Sequence, residues 1–448
     1  CPYDLPVGPG QPAADEPAAE SPDPAKRGVR PGAKWKNISI MYNSLINCGP
    51  SGGGMAENRI KRIILSEYAP NGILRRIQTI QITCMKKLLI FFLPAILLGC
   101  DSPAYRNPLD VAFGDPFILH AADGKFYMYG TSGDIRGFRV CVSDDLVTWQ
   151  KGDVVYDGNA SAWGTDCFWA PEVYERDGRY YLFFSANWRH NPNGDLETFR
   201  IGVAVADSPL GPFSDLYDRP VFDPGYPVID ANVLWDDDGR MYLYYSRCCY
   251  KHPVESELSA WARDKGLFDE IEESWVYGVE MKPDFSGVIG EPVVLLTPPQ
   301  SASDPQTGWE SRSVTAGEVN RRWTEGSYAF KENGTYYMMY SANFYGGQHY
   351  AVGYATAGSP LGPFVKSSDN PVLEKNADKG GEVTGTGHNM VLKLPGGGMY
   401  CVYHGRTAPT GDARMVFIDP MEVTEDGRLK VFGPTTSPQP VPVWTKGL

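Results

Sequence analysis

The hydrophobic and polar positions along this chain repeat one short phrase five times: Asp123-Gly-Lys-Phe-Tyr-Met-Tyr129, Asp177-Gly-Arg-Tyr-Tyr-Leu-Phe-Phe184, Asp238-Gly-Arg-Met-Tyr-Leu-Tyr-Tyr245, Asn333-Gly-Thr-Tyr-Tyr-Met-Met-Tyr340 and Gly397-Gly-Met-Tyr-Cys-Val-Tyr403. Each sets a turn pair ahead of alternating aromatic and aliphatic residues, which reads as a hairpin turn running into a buried strand. The spacing, roughly 55 to 95 residues, is too long for a single hairpin and suits four-stranded sheets arrayed around an axis. The pattern therefore predicts an all-β fold, a five-bladed β-propeller over residues 101–448. One helix is expected, over Glu255–Glu273, inside the longest interval between repeats and thus an insertion on one blade.

Composition supports this. Aromatic residues make up 12% of the 448, and 49 Gly with 37 Pro fit many short strands joined by turns rather than a helical bundle. Propellers of this size routinely form one unit.

The first hundred residues follow another pattern. Met85-Lys-Lys-Leu-Leu-Ile-Phe-Phe-Leu-Pro-Ala-Ile-Leu-Leu-Gly-Cys100 has a basic start, an apolar run and a small residue before cysteine. The run falls short of the ~20 residues a membrane-spanning helix needs, and reads as a bacterial signal peptide. Leu97-Leu-Gly-Cys100 resembles a lipoprotein cleavage site, so residues 85–100 are expected to be a lipoprotein signal peptide ending at a lipid-bearing Cys100. The expected location is an exported lipoprotein, periplasmic or at the cell surface, touching the membrane only through that anchor. A signal peptide acts from an N-terminus, so residues 1–84 are expected to be a non-native or disordered extension with no strand pattern that joins the array.

Residues 1–99 carry 12 Lys/Arg and 7 Asp/Glu, which leaves 29 of the 41 bases and 47 of the 54 acids, a formal charge of −18. Such a surface repels phosphate backbones, so nucleic acid is not an expected partner, whereas uncharged sugars remain open. The cysteines beyond Cys100 show no metal-type spacing; Cys141 with Cys167 is the pair to examine for a disulfide. The six histidines form no zinc signature.

Carboxylate chemistry remains. In a propeller the inner strands line a central channel, and functional residues are expected near blade starts. Asp115 in Phe113-Gly-Asp-Pro-Phe, Asp230 in Val228-Ile-Asp-Ala-Asn and Glu325 in Trp323-Thr-Glu-Gly-Ser each precede a turn pair by eight residues. A charge in an apolar inner strand costs several kcal/mol unless it is paired or functional, and three at one offset point to function. Glu172 is out of phase and reads as structural. His388 lies among glycines, where it fits either an ion or water ligand or a satisfied buried histidine.

With these residues in view, residues 107–434 resemble glycoside hydrolase family 43. The matching phrases are Gly114-Asp-Pro116, Trp169-Ala-Pro-Glu-Val173, Ile229-Asp-Ala231, Thr324-Glu-Gly326, Gly387-His-Asn389 and Tyr403-His-Gly-Arg406, in the family's order. Ser143-Asp-Asp-Leu-Val-Thr-Trp149 and the twin Ser-Pro-Leu-Gly-Pro-Phe phrases at Ser208 and Ser359 look like blade connectors of that group. The resemblance implies a five-bladed propeller and an inverting glycosidase acting on arabinose- or xylose-containing plant glycans, most closely an exo-acting α-L-arabinofuranosidase. An arabinanase or β-xylosidase is the alternative within the family, and a non-catalytic glycan-binding lipoprotein is the alternative outside it.

By position, Asp115 would be the general base, Glu325 the general acid and Asp230 the residue that orients the acid and raises its pKa. His388 matches a histidine that faces calcium or water in some members; no cofactor is otherwise expected. Trp169, Trp235, Trp323 and Tyr328 stand near the catalytic phrases and either stack on a sugar or pack the core. Trp169 and Trp235, with Arg406, are the sugar-binding candidates. An oligo- or polysaccharide is the expected partner, and a closed propeller is expected to be a monomer.

Overall fold

The computed structural model describes residues 104–191, 194, 197–247 and 252–445, together with the backbone of two strands at 60–68 and 74–83. The chain divides into two compact units, Pro9–Cys100 and the remainder.

In the larger unit the five turn phrases each lie at the first hairpin of one blade of a five-bladed β-propeller. Blade 1 is built from Gly114–His120, Phe126–Thr131, Gly137–Ser143 and Gln150–Asp157, joined antiparallel in that order. Blade 2 follows with Trp169–Arg176, Arg179–Asn187, Phe199–Ala206 and Ser214–Asp215. Blade 3 contains Val228–Trp235, Met241–Arg247, Glu272–Met281 and Val288–Leu296. Blade 4 contains Arg321–Glu332, Thr335–Ala342, Ala351–Ala357 and Val365–Lys366, and blade 5 Val383–Lys393, Met399–Thr407, Met415–Val423 and Leu429–Val431. Glu272–Ser274 also pair in parallel with Arg321–Trp323, which fuses blades 3 and 4 into one eight-stranded sheet.

A second strand is apolar on both faces because each blade is packed on both sides. Phe126–Thr131 and Met338–Tyr340 are fully or almost fully buried. The core accordingly lies between blades: Tyr129 and Phe138 of blade 1 meet Val173, Leu182 and Phe184 of blade 2, and Phe330 and Met339 of blade 4 meet Val391 and Tyr403 of blade 5. The ring is closed by Ala104–Tyr105 pairing with Gln439–Pro440. Asn107 reinforces the closure by donating to Ile418 O and accepting from Ile418 N, both at 3.0 Å.

Several expectations change. The twin Ser-Pro-Leu-Gly-Pro-Phe phrases link the third and fourth strands within blades 2 and 4 rather than joining blades. They also receive the preceding blade: Tyr129 Oη donates to Pro209 O at 2.6 Å, and Tyr244 Oη to Pro360 O at 2.9 Å. The expected long helix is short, Glu257–Asp264, capped by Ser256 and Ser259 and stopped at Lys265 before Gly266, which has a φ of 67°. From Glu272 the alternation of Ser274, Val276 and Gly278 with larger residues forms a strand instead. Cys141 is a free buried thiol and Cys167 is disulfide-bonded, so the pair proposed from sequence does not form.

In the smaller unit, Ile60–Tyr68 and Leu74–Thr83 form an antiparallel two-stranded sheet with Ile60 opposite Thr83. Residues 1–84 therefore contain strand that the sequence reading did not expect, built from the β-branched runs around Ile63-Ile64 and Ile77–Ile82. The expected signal peptide, 85–100, lies outside the described residues. Among the described residues no helix is long and apolar enough to cross a membrane.

Candidate active site

Each inner strand interrupts its ladder at a bulge, between Gly114 and Phe117, Trp169 and Glu172, Ile229 and Asn232, Glu325 and Tyr328, and Gly387 and Met390. One residue in each bulge adopts left-handed backbone: Asp115 at φ 53°, Ala170 at 47°, Asp230 at 61°, Gly326 at 54° and His388 at 49°. A bulge bends its strand and re-aims a side chain. Holding a non-glycine residue there costs on the order of 1–3 kcal/mol, which persists where the surroundings fix it and clusters at functional sites.

This alignment corrects the equal-offset argument. Asp115 and Asp230 share the left-handed bulge position, but in blade 4 that position belongs to Gly326, and Glu325 occupies the preceding slot, that of Gly114 and Ile229. The offset of eight arose because blade 4 turns tightly between Glu332 and Thr335, whereas blades 1 and 3 use the longer loops 121–125 and 236–240. Two different displacements cancelled in the count.

The three acids nevertheless converge, in contrasting surroundings. Asp115 Oδ1 lies 3.0 Å from Arg414 Nη1 and 3.2 Å from His388 Nδ1. Burial opposes its ionisation, yet Arg414 foremost, with His388 after it, outweighs it and holds the carboxyl well below the usual carboxylate range. His404 Nδ1 accepts from Asp115 N–H at 3.2 Å, which requires the neutral ring, and burial drives that ring's pKa well down. The charge on Asp115 is therefore balanced chiefly by Arg414.

Glu325 is in the opposite situation. It is buried, and burial followed by the charges of Asp230 and Asp115 raises its pKa well above the ordinary value. Tyr350 Oη donates to its Oε1 at 2.9 Å. Asp230 links the two: its Oδ2 accepts from Gly326 N–H at 3.1 Å, adjacent to Glu325, and from Ser246 Oγ at 3.0 Å. Burial foremost, then Asp115, also raises the pKa of Asp230. The Tyr350 ring stacks on His404 at 5.6 Å, so the partner of Glu325 packs on the partner of Asp115.

Glu172 lies one layer further along the inner strands. Its Oε2 accepts from Asn232 Nδ2 at 3.1 Å and from Tyr174 Oη, and Asn232 Oδ1 accepts from Ala329 N at 2.9 Å. Blades 2, 3 and 4 are thus tied together beneath Asp230 and Glu325. Burial raises Glu172 to about 8, so it is neutral at pH 7 and structural as expected from its phase.

The aromatic candidates separate. Trp169 is half-buried, packs on Phe199 at 4.5 Å, and joins Cys167, Ile229, Trp323, Phe344 and Tyr345 in a cluster beside the Asp230 bulge. Trp323 is buried there and stacks on Tyr345. Trp235 does not reach this place. It stands at the far end of its strand from Asp230, against Tyr174 at 5.0 Å and Phe285 at 6.5 Å, so its proposed sugar contact is replaced by core packing. Tyr328 caps Val391 O at 3.3 Å on the axis near Glu172. Arg406 donates from Nε to Asp412 O at 3.2 Å and from Nη1 to Tyr345 O at 2.9 Å.

His388 Nδ1 faces Asp115, which is itself paired with Arg414. Among the described residues no group of three or more His, Cys, Asp or Glu is placed to hold a metal.

Sequence reasoning missed Arg414, His404 and Tyr350. Tyr350 follows the loop between the second and third strands of blade 4, and Arg414 precedes the third strand of blade 5; neither belongs to an inner-strand phrase. His404 was visible in Tyr403-His-Gly-Arg406, but nothing in that phrase shows its contact with Asp115.

A five-bladed propeller whose axis gathers one carboxyl held low by Arg414 and a second raised by burial and Asp230 has the two contrasting carboxyls that glycoside hydrolysis uses. The sequence profile for glycosyl hydrolases family 43 matches residues 105–429, and the chain belongs to that family. It is 28% identical over 302 residues to the beta-D-galactofuranosidase xynD of Aspergillus niger, covering 64% of this chain and 72% of the relative. It is 33% identical over 275 residues to the xylosidase/arabinosidase 43A of Humicola insolens, covering 55% and 76%. Among solved structures it resembles a thermostable family-43 glycoside hydrolase at 37% identity and a TM-score of 0.64, over 76% of this chain and 100% of that one.

Proposed function

We propose that this protein is an inverting, exo-acting α-L-arabinofuranosidase. The observation that carries the mechanism is the opposite treatment of two carboxyls: Arg414 lowers the pKa of Asp115, while burial and then Asp230 raise that of Glu325. Asp115 takes a proton from water as its oxygen attacks the anomeric carbon. The glycosidic C–O bond breaks and Glu325 gives its proton to the leaving oxygen. Asp230 acts through position and charge, holding Gly326 N–H next to the acid and disfavouring ionisation of Glu325. Calcium has no step in this scheme.

The sugar preference rests on a shared ring shape. α-L-Arabinofuranose and β-D-galactofuranose present the same five-membered ring configuration, and one relative is named a beta-D-galactofuranosidase and another, from Streptomyces chartreusis, an exo-alpha-(1->5)-L-arabinofuranosidase. Parallel hydrolysis of para-nitrophenyl α-L-arabinofuranoside, β-D-xyloside and β-D-galactoside, beside linear arabinan, tests the reading. Cleavage of the arabinofuranoside foremost is the expected outcome; cleavage of the xyloside alone, or of arabinan alone, replaces it with a xylosidase or an endo-arabinanase.

We also propose that the enzyme is exported and lipid-anchored through Cys100, on the strength of the basic, apolar and Leu-Leu-Gly-Cys sequence that precedes it. One chain supplies every residue of the acid ring, which supports a working monomer.

A further inference from the structure

Tyr350 reaches Glu325 from the end of a loop whose first residue touches neither carboxyl. The second and third strands of blade 4 part at Ala342 opposite Ala351, so residues 343–350 form the connection and Tyr350 is its last member. Asn343, its first, is fully buried and left-handed, with a φ of 79°. A buried amide is tolerated when its polar groups are satisfied, and here both donors and the acceptor are used. Nδ2 donates to Trp309 O at 2.7 Å and to His349 O at 3.1 Å, and Oδ1 accepts from Ser313 N–H at 3.0 Å.

These bonds join three parts of the molecule. Trp309 and Ser313 lie in the short helical turns Thr307–Glu310 and Arg312–Thr315, which precede the acid's strand. The same turns hold the next loop residue, since Phe344 N–H donates to Ser313 Oγ at 2.9 Å. Asn343 N–H donates to Trp323 O at 3.0 Å, two residues ahead of Glu325. The bond to His349 bears most directly on the acid. That carbonyl shares a planar peptide group with the nitrogen of Tyr350, so Nδ2 fixes the plane from which the Tyr350 side chain departs. The next carbonyl, that of Tyr350 itself, is held more loosely, by Thr386 Oγ1 at 3.4 Å.

We propose that Asn343 is a positioning residue for catalysis: it clamps the peptide that aims Tyr350 at Glu325. This rests on the glycosidase reading, in which Glu325 is the acid. Asparagine suits the place because its short amide tolerates left-handed backbone, so one residue makes both the turn and the clamp. Tyr350 donates to the ionised form of Glu325 and holds its pKa down against burial and the charges of Asp230 and Asp115. Loss of that aim therefore raises the pKa further. The remaining groups around the acid keep their own contacts without Asn343: Asp230 with Gly326 and Ser246, and Asp115 with Arg414, His388 and His404.

The test is the pH dependence of kcat/KM, on an aryl glycoside that the wild type cleaves, for Asn343→Gly, Tyr350→Phe and the double variant. Glycine accepts the positive φ and removes only the amide. Each single variant is expected to move the alkaline limb, set by Glu325, upward by about one pH unit, the weight of one hydrogen bond to a charged group. The double variant should move it no further than Tyr350→Phe alone, because Asn343 acts through that hydroxyl. Ser313→Ala loosens the same cluster without touching the His349 carbonyl and should leave the limb in place. A limb unmoved in either single variant, shifts that add in the double variant, or an equal shift in Ser313→Ala overturns the proposal while leaving the glycosidase intact. If Asn343→Gly melts below the assay temperature, Asn343→Ser is read in the same way; failure of both to fold assigns the residue to the fold and overturns its positioning role. A wild type that cleaves no glycoside refutes the functional reading, and the proposal with it.

Discussion

Replacing Arg414 with methionine removes the main cation facing Asp115 while keeping most of the side-chain volume. The pair is 3.0 Å apart, with Arg414 19% and Asp115 10% exposed at the side chain. At an effective dielectric near 20 two unit charges at this distance interact by about 5 kcal/mol, an upper bound. Measured effects of a neighbouring arginine on an aspartate are smaller, about one to three pKa units, or roughly 1.4–4 kcal/mol. His388 still faces Asp115 at 3.2 Å and retains part of the effect. The acid limb of kcat/KM for an aryl glycoside should therefore move upward by about one to three pH units, with a larger activity loss at pH 5 than at pH 8. The alkaline limb, set by Glu325, should stay nearly in place. A uniform loss at all pH values, with the acid limb unmoved, refutes the assignment of Asp115 as the ionised base held by Arg414.

Four further outcomes follow from other parts of the molecule. Glu325→Gln should lower kcat by about 10²–10⁴ while leaving sugar affinity close to that of the wild type, as read by product-inhibition or direct binding; unchanged turnover removes the acid from the mechanism. Asp419 is buried at the closure beside Tyr403, Asn107 and Thr435, and burial raises it from 3.8 to about 6. Its folded pKa exceeds its unfolded one, so its contribution is complete below pH 4 and lost as pH rises through 6, by about 3 kcal/mol. Urea unfolding should show Asp419→Asn gaining on the wild type across that window, and a pH-independent difference would falsify the assignment. Glu172→Ala leaves Asn232 and Tyr174 without their acceptor and should cost about 2–3 kcal/mol, whereas Glu172→Gln should cost less because the native carboxyl is already neutral; equal melting losses contradict this. Cys100→Ser should move the protein from the membrane fraction to the soluble exported fraction, and continued membrane association contradicts the lipid anchor.

The parts of the fold that were legible in the sequence are those that local chemistry writes. A turn pair beside an apolar strand marks the first hairpin of each blade, and the five phrases from Asp123 to Gly397 locate all five. The acids were legible because charge is rare in an inner strand. Their register was not. Turn length and bulge position each shift the count by a residue, so Glu325 and Asp230 shared an offset without sharing a slot. Partners from outside the inner strands were equally hidden, since Tyr350 and Arg414 reach the axis through folding rather than through any local pattern. Trp235 shows the converse: proximity in sequence to Asp230 misled because successive strand residues carry the ring about five positions away to the other end of the blade.

The stereochemistry of the first-formed product tests the central claim most directly. Proton NMR of the sugar released from an α-L-arabinofuranoside, recorded before mutarotation, reports which anomer leaves the enzyme. A base at Asp115 that activates water opposite the acid at Glu325 yields the β-anomer, with inversion. Release of the α-anomer would mean a covalent intermediate and would contradict the assignment of Asp115 as base.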